Sequence, residues 1–592
     1  MMGSFWLKIK RNDNCILLFC FFIVLAWSSP LWLTPGKIGI SDWGFFIPRF
    51  EVLRRTILEY NQWLGNNPWN MGGQPILGNP VIGLVSIKGL FVLLFGSVWG
   101  LKLAAPVYLI IGLWGAWKLS GIWWPDRFVR VIFSLYVVAN PAMAYHMSVG
   151  HLNFQTFYFF PLMLYYLLNF RSDKWSGLKT AIVAGLAIND SPAYMTQYAL
   201  LALGVIFIWL CITNYKQHAR SLIIWVLLFL SVLLAISFYR IVAIMEIACD
   251  FQRILNRRIH YEIMTLLKLY FIPYTAMCRI PPPKDCQFVG FYASWEICCY
   301  VGIIAFLLAV LSLYRGFKWW HAAIILFVWA WIGNDSYFHI MYWLQKIPTF
   351  SSHLGFSRIR VFSLLFFGIA AAWGLIYLRI KCNDYNISIF RHGVIFIGIL
   401  MAVEPLAVSY NIMKHSHIKF PQAAEFDYKS KFQNIHSLPN WIRLPFRVYP
   451  SFEAMRMNLG WLDGYGDSYL PVETVRLGRD ERGYIAEFVQ NGSGVEPVYW
   501  SPNKIIFEGL DPNKPLVLNM NPGNPWYCNG IQLFPKYRIV EQEEPFEVMP
   551  NKNGVVELTY IHPGQKTGLI GTLVFLAISA FVITGVARGD KR

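Results

Sequence analysis

The sequence predicts a polytopic α-helical membrane protein with a β-rich, sandwich-like domain near its C-terminus. Apolar residues occupy 56% of the 592 positions and charged residues only 14%. Apolar runs of about 20 residues, the length that crosses a bilayer as a helix, recur along most of the chain. Between His415 and Pro563 the pattern changes to short runs in which apolar and polar residues alternate, which is typical of strands.

The basic residues predict how the apolar runs cross the membrane. Lys and Arg gather in seven clusters beside these runs, and such clusters are typical of cytoplasmic segments. Because both termini carry a cluster, both are expected in the cytoplasm and the number of spans must be even. We predict about twelve spans, at residues 15–33, 101–121, 128–147, 152–170, 178–194, 196–213, 221–246, 296–314, 320–343, 360–379, 392–412 and 567–587.

One further apolar run, at residues 81–100, contains Lys88 and several glycines. A crossing here would move every later basic cluster to the outside, so we expect the run to dip into or lie along the outer face. Irregular backbone at that depth needs cover from protein or a watery cavity. The run is therefore expected to roof a cavity together with the loop around Asp42.

These patterns divide the chain into three predicted parts. Residues 1–412 form the multi-span part, including an external loop at 34–100, and residues 566–592 form the last span with a basic cytoplasmic tail. Residues 413–565 form the external β-rich domain, with alternating runs at 446–449, 484–489, 504–508, 516–520 and 554–560. The first apolar run is long for a signal peptide, which favours an uncleaved first span.

The formal net charge of +18 raises the question of nucleic-acid binding. The basic residues lie in short, separated clusters between apolar runs and do not form one face or one tail. The sequence therefore argues against a nucleic-acid partner and indicates the lipid bilayer.

The stretch from Ser41 to Pro80 follows the first span and places one acid, Asp42, within a few residues of the membrane surface. An acid in this position can act as a base on a substrate whose lipid tail stays in the bilayer. Asp42 is also a good N-cap for a helix beginning near Gly44. The two roles are compatible, because a capping carboxylate is already oriented.

Several fragments, in their order along the chain, resemble integral-membrane glycosyltransferases of the GT-C fold, and within them the bacterial YfhO-type membrane proteins. The likeness covers nearly the whole chain. The fragments are the acid after the first span, WNMGGQPILGNP at 69–80, Gly150-His151 followed by Pro161-Leu162, FSRIRVFSLLFFGIAAAWGL at 356–375, LDGYGDSYLP at 462–471, and NPGNPWYCNG at 521–530 followed by VVELTYIHPG at 555–564.

The resemblance implies transfer of a sugar from a polyprenyl-phosphate-linked donor to a glycan or lipid acceptor of the cell envelope. The reaction would take place at the outer face of a bacterial cytoplasmic membrane, with Asp42 as general base. Cationic groups are needed to stabilise the departing lipid phosphate.

The candidate phosphate-binding residues are Arg358 and Arg360, which precede an apolar span and are expected at its outer end, together with His353. A guanidinium at the membrane edge can bind phosphate oxygens through paired N–H groups. The alternative is that these side chains extend toward water or lipid headgroups.

Asp190 interrupts the fifth predicted span near its outer end, and His146 and His151 flank the turn after the third. Asp190 is a second candidate catalytic acid that can position the sugar or share a divalent cation with Asp42. The alternative is a helix break, with Asp190 and Ser191 capping the next segment. The histidines are candidate substrate-binding residues or interfacial packing residues. The sequence contains no metal-binding motif, so it does not decide whether the protein uses a cofactor such as a divalent cation.

Two further features are left open by the sequence. Cys278 and Cys286 bracket a Pro-rich stretch of an external loop and either pair or stay as thiols. Aromatic residues of the C-terminal domain, among them Trp500 and Trp526, either stack on sugars or form the domain core.

Two other functions compete with glycosyl transfer. A transporter or flippase for a lipid-linked glycan predicts inverted repeats with broken helices near the midplane, and paired halves are not evident in the sequence. A non-catalytic envelope-assembly protein that binds a glycan or partner through its β-rich domain would tolerate the loss of Asp42.

Overall fold

The structure is a computed structural model that describes residues 2–39, 42–70, 72–83, 85–250, 270–273, 279–280, 292–293, 299–332, 346, 356–384, 388–415, 417–419, 431–435, 450–462, 478–521, 526–533, 546–562 and 564–588. Within these ranges the chain is mostly helical, and a strand-rich region precedes the last helix. The predicted class, a polytopic helical membrane protein with a C-terminal β-rich domain, is confirmed.

The helices of the described residues are numbered here in chain order. They are α1 (Met2–Trp32), α2 (Trp43–Leu58), α3 (Ile87–Phe95), α4 (Ser97–Ser120), α5 (Arg127–Val138), α6 (Pro141–Ser148), α7 (Phe160–Leu168), α8 (Ser176–Asp190), α9 (Met195–Asp250), α10 (Ile303–Leu311), α11 (Trp319–Ile332), α12 (Arg360–Asp384), α13 (Ser388–His415), α14 (Pro450–Arg456) and α15 (Gln565–Arg588). Short 3₁₀ helices lie at Leu152–Phe159, Ser312–Arg315 and Phe356–Ile359.

Within the described ranges, eight helical stretches are long and apolar enough to cross a membrane. They are Asp13–Trp32, Ser97–Ser120, Arg127–Ser148, Met195–Asn214, Lys216–Glu246, Arg360–Cys382, Arg391–His415 and Gln565–Arg588. All eight coincide with predicted spans.

The other four predicted spans correspond to shorter elements in the described part of the chain. Residues 152–170 divide into a 3₁₀ helix and the nine-residue α7, and 178–194 gives the 15-residue α8. The last two contain the short apolar helices Ile303–Arg315 and Trp319–Val328. Proline explains the first two cases. Pro161 favours the start of a new helix at α7, and Pro192 favours the end of α8 just before it.

The loop at residues 34–100, called the first loop below, is folded into small elements. Strand β1 (Lys37–Gly39) pairs antiparallel with β6 (His417–Lys419), which joins the end of the first span to the chain beyond α13. Strands β2 (Asn66–Asn67) and β3 (Gln74–Pro75) form a hairpin. At nine residues, or roughly 14 Å, α3 is too short to cross a bilayer.

The C-terminal strands form two antiparallel sheets, here called the strand domain. One sheet has the order β10 (Ser493–Gly494), β9 (Phe488–Gln490), β13 (Leu516–Leu518) and β16 (Phe546–Val548); the other has β11 (Tyr499–Ser501), β12 (Lys504–Phe507), β17 (Val556–Tyr560), β14 (Trp526–Cys528) and β15 (Ile531–Gln532). Buried residues of both sheets form one apolar core that includes Phe488, Phe507 and Trp526. This sandwich results from strict alternation of buried and less buried residues, as in β17.

Two shorter pairs complete the strands of the described residues. Strands β7 (Gln433–Ile435) and β8 (Leu459–Trp461) run parallel, and β4 (Arg279–Ile280) pairs antiparallel with β5 (Tyr292–Ala293). Strand β8 continues onto the first loop, where Trp461 donates its backbone N–H to the carbonyl of Trp69 at 3.0 Å.

The strand domain is held on the first loop by hydrogen bonds. The Gln62 amide donates to the Ser501 hydroxyl at 2.7 Å, and the Asn66 N–H donates to the Asn503 side chain at 2.8 Å. In the turn between β2 and β3, the Gly72 carbonyl accepts a hydrogen bond from the Asn521 N–H at 2.7 Å. The first loop therefore supports the strand domain.

A buried carboxylate, Glu487, connects the strand domain to β7. It is 2% exposed and accepts hydrogen bonds from the Asn434 N–H at 2.5 Å, the Asn434 amide at 2.6 Å, the Asn519 amide at 3.0 Å and the Tyr484 hydroxyl at 3.0 Å. All four donors are neutral. Burial therefore dominates and raises the pKa of Glu487 to about 7.

The raised pKa predicts a pH-dependent contribution of Glu487 to stability. Between its ordinary value of 4.5 and about 7, the folded protein binds this proton more tightly than the unfolded chain does. The contribution of Glu487 to the free energy of unfolding therefore falls by about 3 kcal/mol as the pH rises through this window. Glu487→Gln removes this change, so the stability of the variant relative to wild type should rise from about pH 5 to about pH 8.

The measurement is thermal unfolding of the full chain in detergent, followed by tryptophan fluorescence across this pH range. Glu496→Gln is the matched control, because Glu496 is 61% exposed and pairs with Lys431 at the surface. Parallel pH profiles for wild type and Glu487→Gln would show that Glu487 is charged to the same extent in the folded and unfolded states.

Candidate active site

Asp42 occupies the N-cap position of α2, as the sequence predicts, but its carboxylate makes no capping hydrogen bond. Instead, its Oδ2 lies 3.1 Å from Nε2 of His151, and 34% of the Asp42 side chain is exposed. The backbone carbonyl of Asp42 accepts the first helical bonds, from Phe45 and Phe46, at 3.0 Å. The side chain is therefore oriented by His151 and remains partly open to a ligand.

The start of α2 is clamped to the turn that follows α6. The Asp42 N–H donates to the Val149 carbonyl at 2.8 Å, and the Trp43 indole donates to the Met147 carbonyl at 3.0 Å. Gly150 has a φ of +86°, and a Cβ there would lie 2.1 Å from the backbone nitrogen of Trp43. Glycine is thus required both by the left-handed backbone and by the close approach of the two segments.

His151 also contacts His146, which lies one turn earlier and is fully buried. Their Nδ1 atoms are 2.8 Å apart, and the two rings stack at 5.0 Å with an interplanar angle of 26°. The Phe154 ring packs 4.2 Å from His146 and 5.0 Å from His151. Both predicted histidines therefore belong to the Asp42 cluster, but His146 lies behind His151, inside the protein.

Arg358 also lies near Phe154. Its guanidinium carbon is 5.2 Å from the centre of the Phe154 ring and 4.3 Å from that of Tyr194. Such distances allow cation–π attraction, which helps to hold the guanidinium in place. Tyr194 has a left-handed φ of 53°, an unfavourable conformation for an aromatic residue, and in it the ring reaches Arg358.

Arg360 begins α12, and its side chain is fully buried. Its backbone carbonyl accepts hydrogen bonds from the Ser363 hydroxyl at 2.6 Å and the Cys299 thiol at 3.6 Å. The predicted phosphate-binding pair is thus split between an arginine beside aromatic rings and an arginine inside the bundle. The third candidate, His353, and both Cys278 and Cys286 lie outside the described residues.

Asp190 ends α8 and is 1% exposed. Its Oδ2 accepts from the Lys88 ammonium at 2.9 Å, and its Oδ1 accepts from the Tyr108 hydroxyl at 2.7 Å. Lys88 donates a second hydrogen bond, at 2.8 Å, to the carbonyl of Leu152, the residue after His151. Asp190 and Asp42 thus have different partners, although Lys88 links Asp190 to the turn that Asp42 contacts.

A shared divalent cation between the two acids is not supported by this arrangement. Among the residues that the structure describes, no group of three or more His, Cys, Asp or Glu side chains has the geometry to hold a metal ion. Both Asp190 oxygens are occupied by Lys88 and Tyr108.

Sequence reasoning placed the run that contains Lys88 near the Asp42 loop but missed its pairing with Asp190, and it missed Tyr108, Phe154 and Tyr194 as parts of this region. Lys88 had a usable signal, because it is the one charged residue of the apolar run at 81–100 and a buried lysine needs a carboxylate partner. No sequence signal marked Tyr108, Phe154 and Tyr194, since aromatic residues are common throughout the chain.

Two of the aromatic residues considered for sugar stacking, Trp500 and Trp526, have structural roles, whereas Tyr465 and Tyr469 lie outside the described residues. Trp526 is 1% exposed and packs on Tyr560 at 5.3 Å. Trp500 stacks on Phe432 at 4.9 Å and meets Trp69 of the first loop at 5.9 Å. These two rings therefore form the core of the domain and its contact with the first loop.

Comparison with known proteins gave matches among solved structures alone. No family model and no curated protein matches the chain. The arabinofuranosyltransferase AftD from Mycobacteria is 17% identical with a TM-score of 0.39, over 67% of this chain and 26% of that one. The apo oligosaccharyltransferase from Archaeoglobus fulgidus is 12% identical with a TM-score of 0.41, over 68% and 56%.

A second structure of the archaeal oligosaccharyltransferase, AglB with an inhibitory peptide and a dolichol-phosphate, is 12% identical with a TM-score of 0.38. The chain thus spans about a quarter of AftD and little more than half of AglB. Likenesses at these identities and scores establish neither a family nor an activity for this chain.

The buried pair of Lys88 and Asp190 predicts a large effect on stability. Asp190→Asn should destabilise the protein by about 3–5 kcal/mol, because it leaves a buried ammonium without its counter-charge. The double variant Lys88→Met, Asp190→Leu removes both charges and should recover most of the loss. The measurement is the thermal unfolding temperature of the full chain in detergent.

Asp173→Asn serves as the control, because its pair with Lys179 is partly exposed and is worth at most about 1 kcal/mol. If Asp190→Asn were as stable as wild type but had lost its activity, Asp190 would take part in the chemistry, as the sequence had suggested.

Proposed function

We propose that this chain is a membrane glycosyltransferase of the GT-C type. It would move a sugar from a polyprenyl-phosphate-linked donor to a glycan or lipid acceptor of the cell envelope. The observation that carries the proposal is the position of Asp42. Its partly exposed carboxylate follows the first membrane span, is oriented by His151, and lies in a cluster that also contains the cation of Arg358.

The reaction requires a base for the acceptor hydroxyl. Asp42 accepts this proton while the hydroxyl oxygen forms a bond to the anomeric carbon of the sugar. Part of its side chain is exposed, so an acceptor can approach it, and the hydrogen bond from His151 keeps the carboxylate directed. A carboxylate held in position loses little entropy when the acceptor binds.

The bond from the anomeric carbon to the phosphate oxygen breaks in the same step, and the electron pair leaves with the lipid phosphate. A cation next to this oxygen stabilises the charge that develops there. We assign this role to Arg358, whose guanidinium is held against Phe154 and Tyr194. Arginine suits phosphate because its planar N–H groups match two phosphate oxygens.

The membrane supplies the third requirement. A polyprenyl tail stays in the bilayer while its phosphate reaches the surface, so a base at the end of a span can meet a lipid-bound donor. The basic clusters favour cytoplasmic termini, which would put Asp42 and the strand domain on the outer face of the bacterial cytoplasmic membrane. A YfhO-type relationship remains part of this proposal and rests on the sequence fragments.

A flippase for a lipid-linked glycan is the competing function. The break between α5 and α6, where Asn140 caps a new helix start at Pro141, is the kind of discontinuity that transporters use. Sugar transfer is nevertheless favoured, because a flippase has no need for an oriented base at one membrane surface.

Asp42→Asn should lower sugar transfer at least about 10²-fold, since it removes the base but keeps the size of the side chain. The assay is transfer from radiolabelled polyprenyl-phosphate sugars in membranes that contain equal amounts of folded protein. Asp511→Asn is the matched control, an acid of the strand domain that accepts a turn hydrogen bond from the Asn513 N–H. Equal transfer by wild type and Asp42→Asn would remove Asp42 as the base, and no transfer with any donor would favour the flippase.

Arg358→Gln should lower kcat/KM for the lipid-phosphate donor about 10–100-fold, the loss expected for one charge-assisted hydrogen bond. The kcat/KM of Arg358→Lys should lie between the values of wild type and Arg358→Gln, because lysine keeps the charge but not the planar pair of donors. Donor titrations in the same membranes measure this. Arg315→Gln is the control, since Arg315 lies 4.8 Å from the Trp373 ring in a cluster predicted to be cytoplasmic. An unchanged kcat/KM in Arg358→Gln would place the donor phosphate elsewhere.

A further inference from the structure

The Asp42 cluster contains a hydrogen-bonded chain of one carboxylate and two imidazoles. Oδ2 of Asp42 lies 3.1 Å from Nε2 of His151, and Nδ1 of His151 lies 2.8 Å from Nδ1 of His146. Each distance is within the range of a hydrogen bond. The chain runs from a partly exposed group to a fully buried one.

The carboxylate sets the direction of these hydrogen bonds. An ionised carboxylate can only accept, so Nε2 of His151 carries the proton. A neutral imidazole then presents Nδ1 as an acceptor, and His146 must donate to it from its own Nδ1. Both histidines are therefore held in defined and opposite tautomers.

The reverse direction is disfavoured on two grounds. First, a bond donated by His151 to His146 would require a positively charged His151. Second, it would leave Nε2 of His146 as the donor, and this buried atom has no hydrogen-bond partner among the described residues. An unpaired buried donor is rarer in proteins than an unpaired acceptor. The groups that act electrostatically on His146 are His151, Arg360 and Arg358, and the two arginines disfavour a further cation beside them.

We propose that His146 is a positioning residue whose Nδ1–H, together with the Asp42 carboxylate, keeps His151 in its Nε2–H tautomer and thereby supports the orientation and ionisation of Asp42. The role rests on the proposed function of Asp42 as the base. Without a donor from His146, His151 can carry its proton on Nδ1. The lone pair of its Nε2 then faces the Asp42 carboxylate and repels it.

This role differs from the substrate contact that the sequence suggested for His146. The residue is fully buried, and the Phe154 ring packs against it at 4.2 Å. Its connection to Asp42 passes through His151, and its effect on a substrate is indirect. Its contribution should therefore depend on the position of one N–H group.

Two amide variants of the full chain test this dependence. The side-chain N–H of Asn lies close to the place of Nδ1 of histidine, and that of Gln lies close to the place of Nε2. His146→Asn keeps a donor toward His151, whereas His146→Gln moves the donor away from it. The two variants are alike in polarity, so their comparison separates hydrogen-bond geometry from burial of a polar group.

The first readout needs no substrate. In protein labelled with ¹⁵N-histidine and purified in detergent, the nitrogen chemical shifts report which atom of His151 carries the proton, with His151→Gln used to assign its signals. We expect the Nε2–H form in wild type and in His146→Asn, and a mixture of both forms in His146→Gln. The Nε2–H form of His151 in all three proteins, or the same mixture in both variants, would overturn the proposal.

The second readout is the pH dependence of sugar transfer. Loss of the hydrogen bond to ionised Asp42 disfavours that form, so the acid limb of the rate profile should move to higher pH in His146→Gln and stay in place in His146→Asn. The value of kcat should fall about tenfold in His146→Gln, a part of the 10²–10⁴-fold that a base contributes. A tenfold loss in both variants with no change of the acid limb would indicate a packing role.

The two readouts separate this inference from the proposed function. If wild type transfers no sugar while the nitrogen shifts follow the expected pattern, the hydrogen-bond chain exists but serves another reaction. If wild type is active and the shifts do not follow the pattern, the transferase stands and the role of His146 fails.

Discussion

The backbone hydrogen bond from Asp42 to Val149, 2.8 Å long, is the contact on which the geometry of the site depends. It joins the beginning of α2 to the turn after α6, and the Trp43 indole strengthens the same junction. Asp42 and His151 lie more than a hundred positions apart in the chain. A base and the histidine that orients it are thus brought together by main-chain contacts that do not depend on either side chain.

Charges near the membrane reinforce this junction. A lone charge at membrane depth is expensive, so each one needs a partner. The pair of Lys88 and Asp190 meets this requirement and also holds the carbonyl of Leu152, so the turn that contains His151 is fixed from two sides. The first loop supports the strand domain as well, through contacts such as that of Gln62 with Ser501. Site and domain therefore share one support.

Much of this architecture was predictable because it depends on local pattern. The long spans follow from apolar length, and strands such as β12 and β17 follow from alternation within predicted runs. The sequence nominated Asp42 as a candidate base because it is the one acid placed just after the first span. The predicted spans at 152–170 and 178–194 correspond to shorter elements. The break after Asp190 was one of the alternatives that the sequence offered, whereas apolar length alone does not reveal that a new helix starts near Pro161.

The sequence by itself determined the class of the protein, the placement of the eight long spans of the described residues and the nomination of Asp42, since these depend on residue type and spacing along the chain. The tertiary structure alone decided the partners. In the folded protein the Asp42 carboxylate contacts His151 and does not cap its own helix. His146 lies behind His151, and Asp190 pairs with Lys88. The reason is that hydrogen bonds and ion pairs form between side chains that packing brings within about 3 Å, and packing depends on the whole fold.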